Sequence, residues 1–113
     1  MGDSTKYGKI VASSNNIPTA YSTGAGSMIV SGLSGASELT ITSSCEAPIV
    51  GNYSHPSDTT APTDADIEFH LPAAPTGQSV GRVITDAAIG AAIFLRSDSG
   101  AAITAGTVRI DTK

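Results

Sequence analysis

Three short stretches of two-residue alternation constrain this chain more than any other feature. Leu39 and Ile41 alternate with Glu38, Thr40 and Thr42, and Ile67, Phe69 and Leu71 alternate with Asp66, Glu68 and His70. Val108 and Ile110 alternate with Thr107, Arg109 and Asp111. In an extended strand successive side chains point to opposite faces, so each stretch carries one apolar and one polar side. Three such segments require a sheet with one face on a core.

Further strands are expected at Tyr7 to Ala12, Thr19 to Thr23, Ser27 to Ser31, Pro48 to Tyr53, Ser79 to Thr85 and Ala91 to Ser97. Gly24-Ala25-Gly26, Gly32-Leu33-Ser34-Gly35 and Asp98-Ser99-Gly100 punctuate them, as turns and positive φ angles demand. Short strands about ten residues apart with turns between them point to a sandwich or barrel. The expected fold is therefore all-β: a small antiparallel β-sandwich or jelly-roll-like barrel with at most one short helix. The helical candidate is the alanine-rich run from Asp86, with Thr85 or Asp86 as N-cap and Ile89 four residues before Ile93. Gly90 limits it to a turn or short helix near 86 to 90, leading into a strand from about 91.

Two stretches read as loops, residues 54 to 64 and 72 to 78, because their prolines cannot donate to a sheet ladder. At 113 residues the chain is one domain, spanning 1–113, with an N-terminal arm over about residues 1 to 6 and the long loop 54 to 64. A loop of that length in a small domain is a candidate for recognition.

Composition limits what such a domain can do. Only 14% of residues are charged, against about 25% in a typical soluble domain. Serine and threonine number twenty-eight, and sixteen of the hydrophobic residues are alanine. Trp is absent and Phe69 and Phe94 are the only phenylalanines, so large anchors for a deep ligand pocket are scarce. Interfaces are depleted in Lys, Glu and Asp, which makes a charge-poor surface suited to being covered by neighbours. The net charge is −4, and Lys6, Lys9, Arg82, Arg96, Arg109 and Lys113 form no basic stripe, which argues against direct nucleic-acid binding. The single Cys45 allows no internal disulfide. The opening residues lack the apolar run of a signal peptide and no eighteen-residue apolar stretch occurs, so the expectation is a soluble, non-membrane protein made in a cytoplasm.

No constellation fixes a chemistry. Asp58, Asp64, Asp66 and Glu68 concentrate carboxylates, and an early start to the strand would put the last three on one face. A calcium loop needs more ligands and a glycine that this stretch lacks, so a solvated strand face is expected. His55 and His70 are too few for a zinc site, and nothing activates Cys45 beside Glu46 as a nucleophile. Gly24 and Gly26 lack the third glycine and the βαβ context of a dinucleotide fingerprint. Asn52-Tyr53-Ser54 fits the glycosylation pattern, which matters only on a secreted chain. The reading is a non-enzymatic protein with no cofactor and no metal.

A short, acidic, Ala/Gly/Ser/Thr-rich β-domain closing on Ala105-Gly106-Thr107-Val108-Arg109-Ile110-Asp111 resembles the decoration, or cement, proteins of tailed-bacteriophage capsids. That resemblance implies a virion structural accessory on the capsid exterior, made in the host cytoplasm. It also implies the major capsid protein as partner, and homo-oligomers, trimers among them, seated at symmetry points. Contacts are expected from the N-terminal arm and the long loop, at Lys6, Tyr7, Lys9, Tyr53, His55, Asp58 and Asp64. The alternative is a carbohydrate-binding or adhesion module, with Tyr7, Tyr21 and Tyr53 as stacking platforms. A hydrolase or isomerase would need Cys45 and a histidine to converge in a cleft.

Overall fold

The computed structural model describes residues 6–30 and 35–113. Most of the expected N-terminal arm and the turn expected at 32 to 34 lie outside the described residues. Among the described residues eight strands follow in order: β1 (Lys6–Val11), β2 (Met28–Ile29), β3 (Leu39–Ser43), β4 (Ile49–Asn52), β5 (Phe69–Leu71), β6 (Val80–Ile84), β7 (Ile93–Ser97) and β8 (Thr107–Thr112). They form two four-stranded sheets, ordered β1-β8-β3-β6 and β2-β7-β4-β5, and every pairing is antiparallel. First pairs with last, second with seventh, third with sixth and fourth with fifth, as if one long hairpin had been rolled up. That connectivity makes the β-sandwich a jelly roll. Among the described residues no helix is long and apolar enough to cross a membrane.

The alternation read from the sequence sets the main core. Leu39, Ile41, Val108 and Ile110 face inward from the first sheet and meet Ile49, Phe69, Leu71, Ile93 and Leu95 from the second. Thr40 and Thr42 turn outward between them. The second sheet behaves differently, since all four residues of β4 and four of the five in β7 are buried. Its outer face bears Phe94, which packs in a second cluster with Tyr21 and Ala92, flanked by Met28 and Ala61. Burying one aromatic ring takes roughly 150–250 Å² of surface from water. Here that burial holds the flanking loops onto the sheet.

Three local expectations are corrected or narrowed by the structure. Thr19 to Thr23 is not a strand: Ile17 makes an isolated bridge with Ile103, and the following residues bring Tyr21 over Phe94. No helix forms near 86 to 90. Asp86 takes a positive φ of 55°, and the amides of Ala87, Gly90 and Ala91 donate to the carbonyls of Ser37, Tyr53 and His55. With those donors bonded to carbonyls distant in sequence, no i to i−4 ladder can close. The third correction concerns residues 64 to 68, which precede β5 as a turn in which the Asp66 amide donates to the Thr63 carbonyl.

Gly51 shows how tightly the second sheet is closed. A Cβ there would meet the Phe69 ring and the Phe94 carbonyl oxygen. Gly51→Ala should therefore destabilise the fold by about 1–3 kcal/mol through overpacking. Urea unfolding would register this as a lower midpoint at unchanged slope, whereas an unaltered midpoint would contradict the packing described.

Candidate functional site

The two outer faces of the sandwich differ. Among the described residues, no loop covers the outer face of the β1-β8-β3-β6 sheet. Register places Tyr7, Asp111, Thr40 and Val83 in one row across it and Lys9, Arg109, Thr42 and Gly81 in the next. Tyr7 is 57% exposed and Val83 59%, unusual values for large apolar side chains on strands. The Arg109 guanidinium lies 4.5 Å from the centre of the Tyr7 ring and bonds both carboxylate oxygens of Asp111 at 3.1–3.2 Å. Asp111 thereby raises the pKa of a group that is already a permanent cation. Lys113 and Glu38 pair at 3.8 Å at one end of the face. The result is a mixed surface of two threonines, one aromatic, one valine, Lys9 and a locked Arg109–Asp111 pair.

The opposite side is built around Phe94. The loop 54 to 64 runs over the outer face of the second sheet, with the His55 ring edge-on to Phe94 at 5.5 Å and Pro62 buried. Tyr21 meets Phe94 edge-on at 6.4 Å, and Arg96 lies 5.6 Å from the Tyr21 ring. Arg96 also donates from Nε and Nη2 to the Asp64 carbonyl, at 3.2 and 2.9 Å. The carboxylates here hold backbone. Asp64 Oδ1 accepts from the Tyr21 amide at 3.0 Å, Asp66 Oδ2 from the amide and hydroxyl of Thr63, and Glu68 from the amides of Tyr53 and Ser54 and the Ser54 hydroxyl.

This geometry corrects the expected carboxylate face. Because β5 begins only at Phe69, Asp64, Asp66 and Glu68 do not project from one strand face but each close a different turn. Among the described residues no three His, Cys, Asp or Glu side chains are placed to hold a metal ion. A shallow polar groove of about 390 Å³ lies beside the loop, lined by Asn52, Ser54, His55, Asp66 and Glu68. Its polar groups are already engaged. Asn52 is 5% exposed, donates through Nδ2 to the Asp66 carbonyl and accepts at Oδ1 from the His55 amide, so the glycosylation pattern is closed to modification in the fold.

The other candidate residues do not converge. Cys45 is buried in the main core against Gly106, and burial pushes its thiol pKa up, opposed by a hydrogen bond with Ser43. His70 sits exposed on β5 opposite Val50, and His55 packs on Phe94 in the outer cluster. The three tyrosines share no exposed face: Tyr7 is on the open sheet, Tyr21 is buried, and Tyr53 is half-buried and stacked on Phe69. Of the seven expected contact residues, Lys6, Tyr7 and Lys9 belong to β1 on the open sheet. Tyr53 packs on the rim of the main core against Phe69, while His55, exposed Asp58 and Asp64 lie on the loop-covered side. Sequence reasoning missed Arg109, Asp111, Thr40, Thr42 and Val83 as a surface. Alternation marked most of them as outward, but strand order was needed to bring them together.

The fold and surfaces define the protein as a small jelly-roll β-sandwich with one open sheet face. No protein-family model, no characterised protein and no solved structure matches the chain.

The Tyr21 phenol offers a direct check on the covered side. Its pKa is pushed from the ordinary 10 to about 12, chiefly by burial and secondarily by Glu68, Asp64 and Asp66, against the opposing pull of Arg96. A raised folded pKa means that the fold favours the neutral phenol. This contribution to stability is intact below pH 10 and is lost as pH rises through about 12. Wild type should lose denaturant resistance over that window and Tyr21→Phe should lose less. Equal losses would contradict the assigned burial.

Proposed function

We propose that this protein is a virion structural accessory, a capsid decoration protein that docks on the outer surface of an assembled shell and contacts the major capsid protein. The observation carrying this reading is the open face of the β1-β8-β3-β6 sheet. Its rows combine Thr40, Thr42, Lys9, Asp111 and Val83, and Arg109 of β8 stacks on Tyr7 of the edge strand β1; tyrosine and arginine are the residue types that most often anchor interfaces. Charged residues are only 14% of the chain, in keeping with a surface covered by neighbours, although Lys9, Arg109 and Asp111 stand on this face. Jelly rolls serve viral capsids and lectins alike, so the fold is compatible with docking but does not assign it.

The mechanism is linkage. A protein that binds the assembled shell and not its free subunits shifts the equilibrium toward assembly by mass action. Binding as a small symmetric oligomer would span neighbouring subunits and multiply the effect.

Co-sedimentation with assembled shells tests this. Wild type should pellet at a fixed ratio to the shell subunit. Tyr7→Ala combined with Arg109→Ala should weaken binding by about tenfold or more, corresponding to about 1.4 kcal/mol, a modest value for an anchor pair. Thr59→Ala, on the covered side, should bind as wild type. A wild-type protein that stays in the supernatant, or a double variant that binds unchanged, would overturn the proposal.

A further inference from the structure

We infer that the corner of the open sheet around Lys9 and Arg109 is a carboxylate-binding site, at which an acidic protein surface docked on this face places an Asp or Glu side chain. The inference rests on the open face as the docking face and names the chemistry of what it meets.

The corner is one carboxylate short. Register sets Lys9 of β1 directly opposite Arg109 of β8. The Ala12 amide donates to the Gly106 carbonyl, so the hydrogen-bonded pairs along this ladder are Ile10 with Val108 and Gly8 with Ile110. Lys9 and Arg109 therefore form a non-hydrogen-bonded pair, the kind in which Cα atoms lie about 4.5 Å apart and side chains are closest. Like charges directly opposite each other are destabilising. Asp111 is the only carboxylate on β1 or β8, and Arg109 engages both of its oxygens. The Lys9 side chain has no ion pair or hydrogen bond among the described residues.

Arg109 is held ready to receive a second acceptor. Its Nε and Nη2 donate to Asp111 along one edge of the guanidinium, the Tyr7 ring lies 4.5 Å away, and about half of the side chain is exposed. Of the five N–H groups of an arginine, the two on Nη1 have no partner among the described residues. A planar fork already fixed on one edge loses little freedom when it bonds again. A partner carboxylate accepting from Nη1 beside the Lys9 ammonium completes a set of two cations and two carboxylates.

Charge is also divided between the two sides of the sandwich. The open face carries Lys9, Arg109 and Lys113 against Asp111 and Glu38, an excess of one positive charge in a chain of net charge −4. The loop-covered side carries Asp58, Asp64, Asp66, Glu68 and Asp98 against Arg96. An acidic partner is attracted by the first side and repelled by the second, which selects the orientation of docking more than it adds affinity. A nucleic-acid strand fits less well, since it presents phosphates in a row and this corner neutralises one.

NMR titration of the isotope-labelled full chain with hexaglutamate tests the site without a shell. Saturable shifts should centre on the amides of Tyr7, Lys9, Arg109 and Asp111 and fade as sodium chloride is added, and hexaglutamine should cause none. Lys9→Gln should weaken binding about threefold, and Lys9→Gln with Arg109→Gln about tenfold. Arg82, whose β3 partner Ile41 faces the core, lies off this face, so Arg82→Gln removes the same charge and should bind as wild type. Should the double variant fail to fold by circular dichroism, Lys9→Gln decides. Hexaglutamate binding by a protein that ignores assembled shells would sink the docking reading while supporting the carboxylate site. Absence of saturable shifts at this corner, an equal loss with Arg82→Gln, or tighter binding of an oligothymidylate of the same length through these residues would overturn the inference, whether or not the protein sediments with shells.

Discussion

Phe94 points away from the main core, and most of the asymmetry of the molecule follows from covering it. Its neighbours in β7, Ile93 and Leu95, face inward, so β7 is apolar on both sides. A sheet buried on both faces needs a second layer, and this chain supplies it from loops rather than helices. Tyr21 and Ala61 lie on the ring and His55 closes its edge. Carboxylates and backbone then fasten the cover: Asp64 holds the Tyr21 amide, Glu68 holds residues 53 and 54, and the amides of Gly90 and Ala91 anchor on Tyr53 and His55. A side chain at Gly90 would collide with the His55 carbonyl, so the two loops approach as closely as backbone allows.

Among the described residues the cover is confined to one side, and the outer face of the β1-β8-β3-β6 sheet stays bare. Antiparallel sheets tolerate this when their strands alternate, since one face can remain solvated. Thr40, Thr42, Lys9 and Arg109 provide that polar side, and the inward residues of the same strands fill the core. A domain built this way has a finished side and an unfinished one. The unfinished side is where a structural accessory would be expected to meet its assembly.

The same asymmetry explains what the sequence discloses. β3 and β8 alternate because one of their faces meets water, and both were readable to within a residue. β7 reads as a continuous apolar run because both faces are covered, and its upstream alanines mimic a helix until the amides of Ala87, Gly90 and Ala91 are traced to the carbonyls of Ser37, Tyr53 and His55. The long loop was visible from its prolines. Its role as a cover was not, because that depends on the outward direction of Phe94, set by pairing with β4 and β2. For the same reason Tyr7 and Lys9 could be named as contact candidates while Arg109 and Val83, distant in sequence, could not.

The central claim is that the bare sheet face, and not the loop-covered face, is the working surface. Hydroxyl-radical footprinting of the protein free and bound to an assembled shell tests it residue by residue. The account predicts protection of Tyr7 and Val83 on binding, with His55 and Pro56 on the covering loop unchanged. Protection confined to residues 54 to 64, with Tyr7 and Val83 as reactive as in the free protein, would contradict it.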